Sequence, residues 1–449
     1  MQQDVRKNSI DLEILLNPLN PGSFLSLHSF FFPLKNLLLR RVTEPFHVEV
    51  RLPASKSESN RALILNALAG GQAQLANLSE ARDTRTMLRL LASPDPVADV
   101  LDAGTTMRFL TAYFAVTGQQ KTLTGTPRMQ ERPIGILVDA LRTLGADIRC
   151  TRQEGYPPLQ LAGFSYSGNN QLPIRGDVSS QFISALLMIG PTLPDGLVLD
   201  LTGEVGSRPY IEMTLQQMAA FGVTVEADWS KNTLRVPAGQ YQPVAYAVES
   251  DWSGASYWFA LVALGPEGSG AELLGLKEAS LQGDHVIVDI MARLGVKSEY
   301  TGRGFRLQKI SPEKTFAWDF TDCPDLAQTV AVVCAALGIR AQFTGLESLK
   351  VKETDRVVAL QTELRKFGGD LVEVVPNERY EVQPLTTHDS QLTTVNTYDD
   401  HRMAMAFAPL AMLTDVLIDE PGVVAKSFPN FWEELRKVIS IEETQSAIF

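Results

Sequence analysis

The sequence predicts an α/β fold built from repeated units, with helices buried inside and sheets enclosing them, and three observations carry that expectation. Glycines that close helical runs recur at a nearly constant interval. Six helical runs are apolar almost all the way round, which suits a helix covered on every side. Short strand-like stretches such as Val223-Thr224-Val225 follow the amphipathic helices, so the two kinds of element alternate. A chain of 449 residues with 45% hydrophobic content has material for two or three domains.

The apolar runs end at Gly118, Gly190, Gly265 and Gly338, at spacings of 72, 75 and 73 residues. Glycine is the usual residue just past a helix C-terminus. Amphipathic runs end at Gly145, Gly222, Gly295 and Gly368, at spacings of 77, 73 and 73, which implies duplicated supersecondary units. The full apolar set is Ser59 to Ala69, Thr105 to Thr117, Ser180 to Ile189, Gly254 to Leu264, Asp325 to Leu337 and His401 to Leu413. Each opens with small or polar residues of helix-capping type. Capping explains each one singly, but six buried N-termini aimed at one region would also make an anion site.

A net charge of −12 argues against nucleic-acid binding, while leaving room for a local cationic cleft that takes a small anionic ligand. Cys150, Cys323 and Cys334 are scattered, which suits a reducing cytoplasm, and no Cys/His cluster has metal-ligand spacing. Residues 1–44 read as an N-terminal extension of unknown role. The apolar stretch Phe24 to Leu39 is broken by His28, Pro33 and Lys35, too interrupted for a membrane span. Asp4, Asp11 and Glu13 count against a transit peptide.

Taken in order, Lys56 and Arg61 frame the start of the first buried helix. Asp102-Ala103-Gly104-Thr105 turns into the second, where a missing side chain permits close approach to a ligand. Prolines on both sides stiffen the loop holding Arg128, a candidate bidentate clamp. Ser179, Ser180 and Gln181 give the third helix more hydrogen-bonding groups than a cap requires. Ser207 and Tyr210 open an amphipathic helix, and Gln282-Gly283-Asp284 precedes another. Asp325 at the fifth buried helix is a candidate base. Val351 to Arg356 packs two cations and two carboxylates at an expected helix start, with Lys352 and Arg356 on one face and Glu353 and Asp355 in the first turn. Arg402 sits where a cation opposes the helix dipole, so an anion is its natural partner, and Lys426 precedes the last helix.

These motifs, in this order from about Glu44 to Trp432, resemble the 5-enolpyruvylshikimate-3-phosphate synthase family of enolpyruvyl transferases. The resemblance rests on Ser55 to Arg61, Ala103 to Thr105, Pro127 to Pro133, Ser179 to Gln181, Ser207 to Tyr210, Pro324-Asp325, Val351 to Arg356, Asp400 to Met405 and Lys426 to Phe431. It implies two similar domains, each three βαβαββ-type repeats in an inside-out α/β barrel, one spanning 55–249 and the other combining 45–54 with 250–449. It implies transfer of the enolpyruvyl group of phosphoenolpyruvate to the 5-hydroxyl of shikimate-3-phosphate with release of phosphate. No cofactor or metal is expected, nor any nucleic-acid or membrane partner, and the chain is expected to be a cytoplasmic monomer.

Carried over by motif, shikimate-3-phosphate would be held by Ser57, Arg61, Ser179, Ser180, Gln181, Ser207, Tyr210, Asp325 and Lys352. Phosphoenolpyruvate would meet Lys56, Gly104, Arg128, Gln181, Arg356, Arg402 and Lys426. Asp325, Glu353 and Lys56 would share the proton transfers, Asp325 taking the hydroxyl proton. Four positions depart from the family's habit: Asp102 and Ser348 stand where asparagine is common, Phe109 where proline or leucine is usual, and Gln130 in place of a lysine. Two other readings are a UDP-N-acetylglucosamine enolpyruvyl transferase, whose loop cysteine is missing around Gln130, and a non-catalytic anion-binding scaffold, whose mark would be loss of Asp325, Glu353 or Lys56.

Overall fold

A computed structural model describes residues 35–386 and 392–445. The expected extension therefore lies outside the described residues up to residue 34. Its described end is built into the protein: Lys35–Leu39 is a strand, with Leu37, Leu38 and Leu39 buried. It pairs antiparallel with Val416–Ile418 on one side and Ile441–Gln445 on the other.

Five four-stranded sheets share one plan. In the first, Val97–Asp99 runs parallel to Lys121–Thr124, which pairs antiparallel with Leu159–Phe164, which pairs antiparallel with Ala146–Cys150. A parallel pair needs a crossover, here the buried helix Gly104–Val116, whereas the antiparallel pair closes through a short loop. The same order recurs in the sheets whose first strands are Gln171–Arg175, His47–Arg51, Thr315–Asp319 and Thr393–Val395. Lys35–Leu39 fills the third place in the last of these, so one repeat is completed by chain from the opposite end of the sequence. A sixth sheet has two strands, Gln74–Ala76 and Ala245–Ala247. These sheets stand as separate panels, and none closes into a barrel among the described residues.

All six apolar runs are helical within about a turn of expectation: Lys56–Leu68, Gly104–Val116, Ser180–Ile189, Trp252–Leu264, Ala327–Ala336 and His401–Phe407, the last continued by the 3₁₀ turn Ala408–Met412. Every residue of Trp252–Leu264 is buried. Large apolar side chains buried this way contribute roughly 1.5–3 kcal/mol each, which holds the helices inside their sheets.

Two hydrophobic cores result. One gathers side chains from Leu37 to Leu52 and from Trp252 to Ile439, the other from Leu63 to Tyr241. The chain passes between them twice, side by side. Ala54 bridges Ser250, and the Ser55 N–H donates to the Glu249 carbonyl at 2.8 Å.

The segment Val351 to Arg356 corrects the sequence reading. The helix runs Arg356–Lys366, capped by Asp355, whose carboxylate accepts from the Val357 and Val358 N–H groups. Lys352 is extended and follows the 3₁₀ turn Glu347–Val351. Lys352 and Glu353 thus precede the helix and share no face with Arg356. An aspartate makes a better cap than Val351, so the helix begins later than charge density suggested.

Candidate active site

The N-terminal ends of all six buried helices line one cavity of about 780 Å³ between the two cores. Ser55 caps the first helix, Ser179 the third, Asp251 the fourth and Asp400 the sixth, each through its side-chain oxygen. Free N–H groups and aligned peptide dipoles therefore bias the space toward anions before any side chain is counted.

From the side of the second core, Lys56 reaches the cavity with its Nζ 3.1 Å from Asp83 Oδ2. Arg61 is buried, and its guanidinium donates to Thr214 Oγ1, the Ser57 carbonyl and Ser184 Oγ at 2.7–3.2 Å. Burial pushes its pKa down to about 10. Gly104 lies so close beneath Arg132 and Arg108 that a Cβ there would meet the Arg132 Nη1 at 2.8 Å and the Arg108 Nη1 at 3.0 Å. Gln181 donates to Thr105 Oγ1 at 3.1 Å. Ser207 adopts a left-handed conformation (φ 54°) with its N–H on the Thr321 carbonyl of the opposite side, and the Tyr210 hydroxyl donates to Asp325 Oδ2 at 3.4 Å. A serine in that conformation is strained by about 1–3 kcal/mol, so the contact across the cavity holds it there.

From the side of the first core comes a charge cluster centred on Arg356. Its guanidinium donates to Asp325 Oδ1 (3.1 Å), Glu353 Oε2 (2.9 Å) and Asp400 Oδ2 (2.7 Å). Arg402 donates to Asp325 Oδ2 at 2.7 Å, and Lys426 sits 3.0 Å from Glu353 Oε1. Burial alone would raise the Asp325 pKa, but Arg402, Lys352, Arg356 and Lys56 outweigh it and hold the carboxyl well below its ordinary range. Glu353 is depressed likewise, with Lys426, Arg356 and Arg132 overcoming burial. Burial pushes Asp284 up to about 8, helped by the Asp325 charge, and drives His401 well below its usual value. Lys352 is lowered by burial despite Asp325. Asp325 and Glu353 are therefore ionised, while Asp284 holds its proton at neutral pH.

Of the residues singled out in the sequence, Lys56, Ser57, Arg61, Gly104, Ser179, Ser180, Gln181, Ser207, Tyr210, Asp325, Lys352, Glu353, Arg356 and Arg402 line this cavity. Arg128 and Lys426 line a small adjoining recess that shares Glu353 and Arg132 as walls. Arg128 donates to the Glu353 and Lys352 carbonyls, both at 3.2 Å, crossing from one core's side to the other's. Sequence reasoning missed Asp83, Arg108, Arg132, Asp251, Asp284 and His401 as cavity residues. Arg132 sits in the same proline-framed loop as Arg128, which could have flagged it; Asp83 carries no local signal.

Comparison with known proteins identifies the family of the chain. The family model described as EPSP synthase (3-phosphoshikimate 1-carboxyvinyltransferase) matches residues 41–93 and 89–435. A 3-phosphoshikimate 1-carboxyvinyltransferase of Bacteroides fragilis is 50% identical over 397 residues, covering 86% of this chain and 94% of that one. The same-named protein of Cellvibrio japonicus is 40% identical, covering 87% and 96%. Among solved structures, EPSP synthase of Acinetobacter baumannii superposes with a TM-score of 0.72 at 20% identity, covering 92% of this chain and all of that one. The enolpyruvyl transferase NikO of Streptomyces tendae does so with a TM-score of 0.70 at 14% identity, covering 92% and 100%. At these identities the two structures speak for the fold.

Proposed function

This chain belongs to the EPSP synthase family, the 3-phosphoshikimate 1-carboxyvinyltransferases, and from that premise we infer how its cavity works. The reaction joins the 5-hydroxyl oxygen of shikimate-3-phosphate to the central carbon of phosphoenolpyruvate and releases inorganic phosphate. The observation that carries the reading is the meeting of six helix N-termini, a cage of lysines and arginines, and two carboxylates at one cavity. The readings as a UDP-sugar enolpyruvyl transferase or as an inert scaffold are not favoured.

The proposed chemistry balances without a cofactor. As the hydroxyl oxygen adds to the central carbon, its proton goes to Asp325 and a proton from Glu353 or Lys56 goes to the methylene. In the tetrahedral adduct the methyl returns a proton to the group that supplied it, the carbon–oxygen bond to phosphate breaks, and the proton held by Asp325 leaves with the phosphate. We assign the acceptor to Ser57, Arg61, Ser179, Ser180, Gln181, Ser207, Tyr210, Asp325 and Lys352, and the donor to Lys56, Gly104, Arg128, Gln181, Arg356, Arg402 and Lys426. Cations that already point into a pocket stabilise developing charge without reorganising, and acids and bases so placed typically contribute ~10²- to 10⁴-fold.

Further parts of the proposal are a division into domains at 45–54 with 250–449 and at 55–249, closure of the cleft on substrate, a monomeric state and a cytoplasmic setting. Among the described residues no helix is long and apolar enough to cross a membrane. The test is phosphate release by purified protein given shikimate-3-phosphate and phosphoenolpyruvate, with UDP-N-acetylglucosamine as the alternative acceptor. Turnover with the first acceptor alone is expected. Turnover only with the sugar nucleotide, or tight binding of both substrates with no phosphate released, would overturn the assignment.

A further inference from the structure

Lys426 is 1% exposed, and three oxygens stand within reach of its Nζ: Glu353 Oε1 at 3.0 Å, Asp102 Oδ2 at 2.8 Å and the Asp102 carbonyl at 3.2 Å. The two Asp102 oxygens accept hydrogen bonds from the ammonium, and the Glu353 carboxylate faces it as an ion pair. Asp102 lies in the turn before the second buried helix, on the opposite side of the cleft, and its Oδ2 also accepts from Arg82 at 2.8 Å. It keeps 17% of its side chain exposed, whereas the lysine is shut in. The clasp thus joins the two sides through the very lysine assigned above to the donor.

We propose that Asp102 is a donor-affinity-determining residue: it competes with phosphoenolpyruvate for Lys426 and yields an N–H when the donor arrives. The inference rests on the assignment of Lys426 to the donor. A carboxylate fixed on the same ammonium both occupies a donor hydrogen and repels an incoming anion, and an asparagine would accept the same hydrogen bond without the charge. Nearby acids show the same field, since burial raises the Asp399 pKa and the Asp102 charge adds to it.

Two effects of Asp102→Asn separate cleanly. A weaker clasp acts on both substrates alike, whereas release of Lys426 acts on the donor alone. The KM for phosphoenolpyruvate divided by the KM for shikimate-3-phosphate is therefore expected to fall about tenfold. Asp102→Ala, which lacks the acceptor as well, should lower the ratio at least as far. An unchanged or raised ratio in Asp102→Asn refutes the proposal. Lys426→Met tells the two failures apart. If it raises the donor KM while Asp102→Asn leaves the ratio alone, only the competition is wrong; if it leaves the donor KM unchanged, the assignment of Lys426 to the donor falls and the competition with it.

Discussion

Arg356 is the sharpest place to test the electrostatic reading. Its side chain is 2% exposed and serves three carboxylates, of which Asp400 is fully buried and Asp325 and Glu353 are 20% and 14% exposed to the cavity. Arg356→Met strands these acids. Breaking a buried pair costs about 3–5 kcal/mol, and cavity water rehydrates Asp325 and Glu353 in part, so about 3 kcal/mol is expected. Arg356→Lys keeps the charge but loses the planar fork, and with it about two charge-assisted hydrogen bonds, or roughly 2–3 kcal/mol after the same relief. Urea unfolding followed by tryptophan fluorescence reads this directly, because Trp252, Trp258, Trp318 and Trp432 belong to the first core and only Trp229 packs on the second. The pH dependence supplies a second check. Asp325 and Glu353 have folded pKa values below their ordinary 3.8 and 4.5, so the stability they lend is fully present above about pH 5 and is lost as pH falls through the folded values. Without Arg356 the depression shrinks, and the gap between wild type and Arg356→Met should stay level above about pH 5 and close as pH is lowered from there toward 3. A gap constant over that range, or an Arg356→Lys protein matching wild type in both urea midpoint and donor KM, would refute the cluster's proposed role.

Three further outcomes are expected. Lys56→Ala should lower kcat by ~10²-fold or more while the protein stays folded, and near-normal turnover would remove Lys56 from the proton chemistry. Arg128→Ala should raise the donor KM about tenfold with little change in unfolding midpoint, since the side chain is 47% exposed; unchanged KM and kcat would contradict the clamp. Asp284→Asn should stabilise the protein increasingly with pH. Its folded pKa of about 8 exceeds the ordinary 3.8, so folding holds a proton the unfolded chain gives up, and wild type loses stability as pH rises from about 4 to 8. The variant escapes that loss, and a midpoint difference that fails to grow between pH 4.5 and 8 would argue against a neutral Asp284.

What could be read ahead of the structure follows from what each signal depends on. The six buried helices were legible because an apolar surface on every side is written into consecutive residues, and their polar starts were legible because capping is local. The start of the helix at Arg356 was misread because charge density says little about where a backbone turns, and the Asp355 cap decided it. The strand Lys35–Leu39 was hidden because its partners, Val416–Ile418 and Ile441–Gln445, lie at the other end of the chain, and no periodicity links them. Asp83 was invisible for a related reason. It is an ordinary first-turn acid of the helix Arg82–Ala92 until packing of that helix against the first buried one sets it beside Lys56.

These pairings explain how a chain with a net charge of −12 comes to hold two anions. The assigned cations already have carboxylate partners within the protein: Lys56 with Asp83, Arg402 with Asp325, Lys426 with Asp102 and Glu353, and Arg356 with three acids. A cluster of unpartnered cations would destabilise the fold around the cavity through mutual repulsion, and the acids remove that cost. Binding of phosphate and carboxylate groups is then an exchange of partners. Exchanges at Arg356, Arg402 and Lys426 take a cation from Asp325 or Glu353, which raises that carboxyl's affinity for a proton. On the proposed assignment, the acids that neutralise these cations are thus the ones that become competent to carry protons, once both substrates have claimed the lysines and arginines around them.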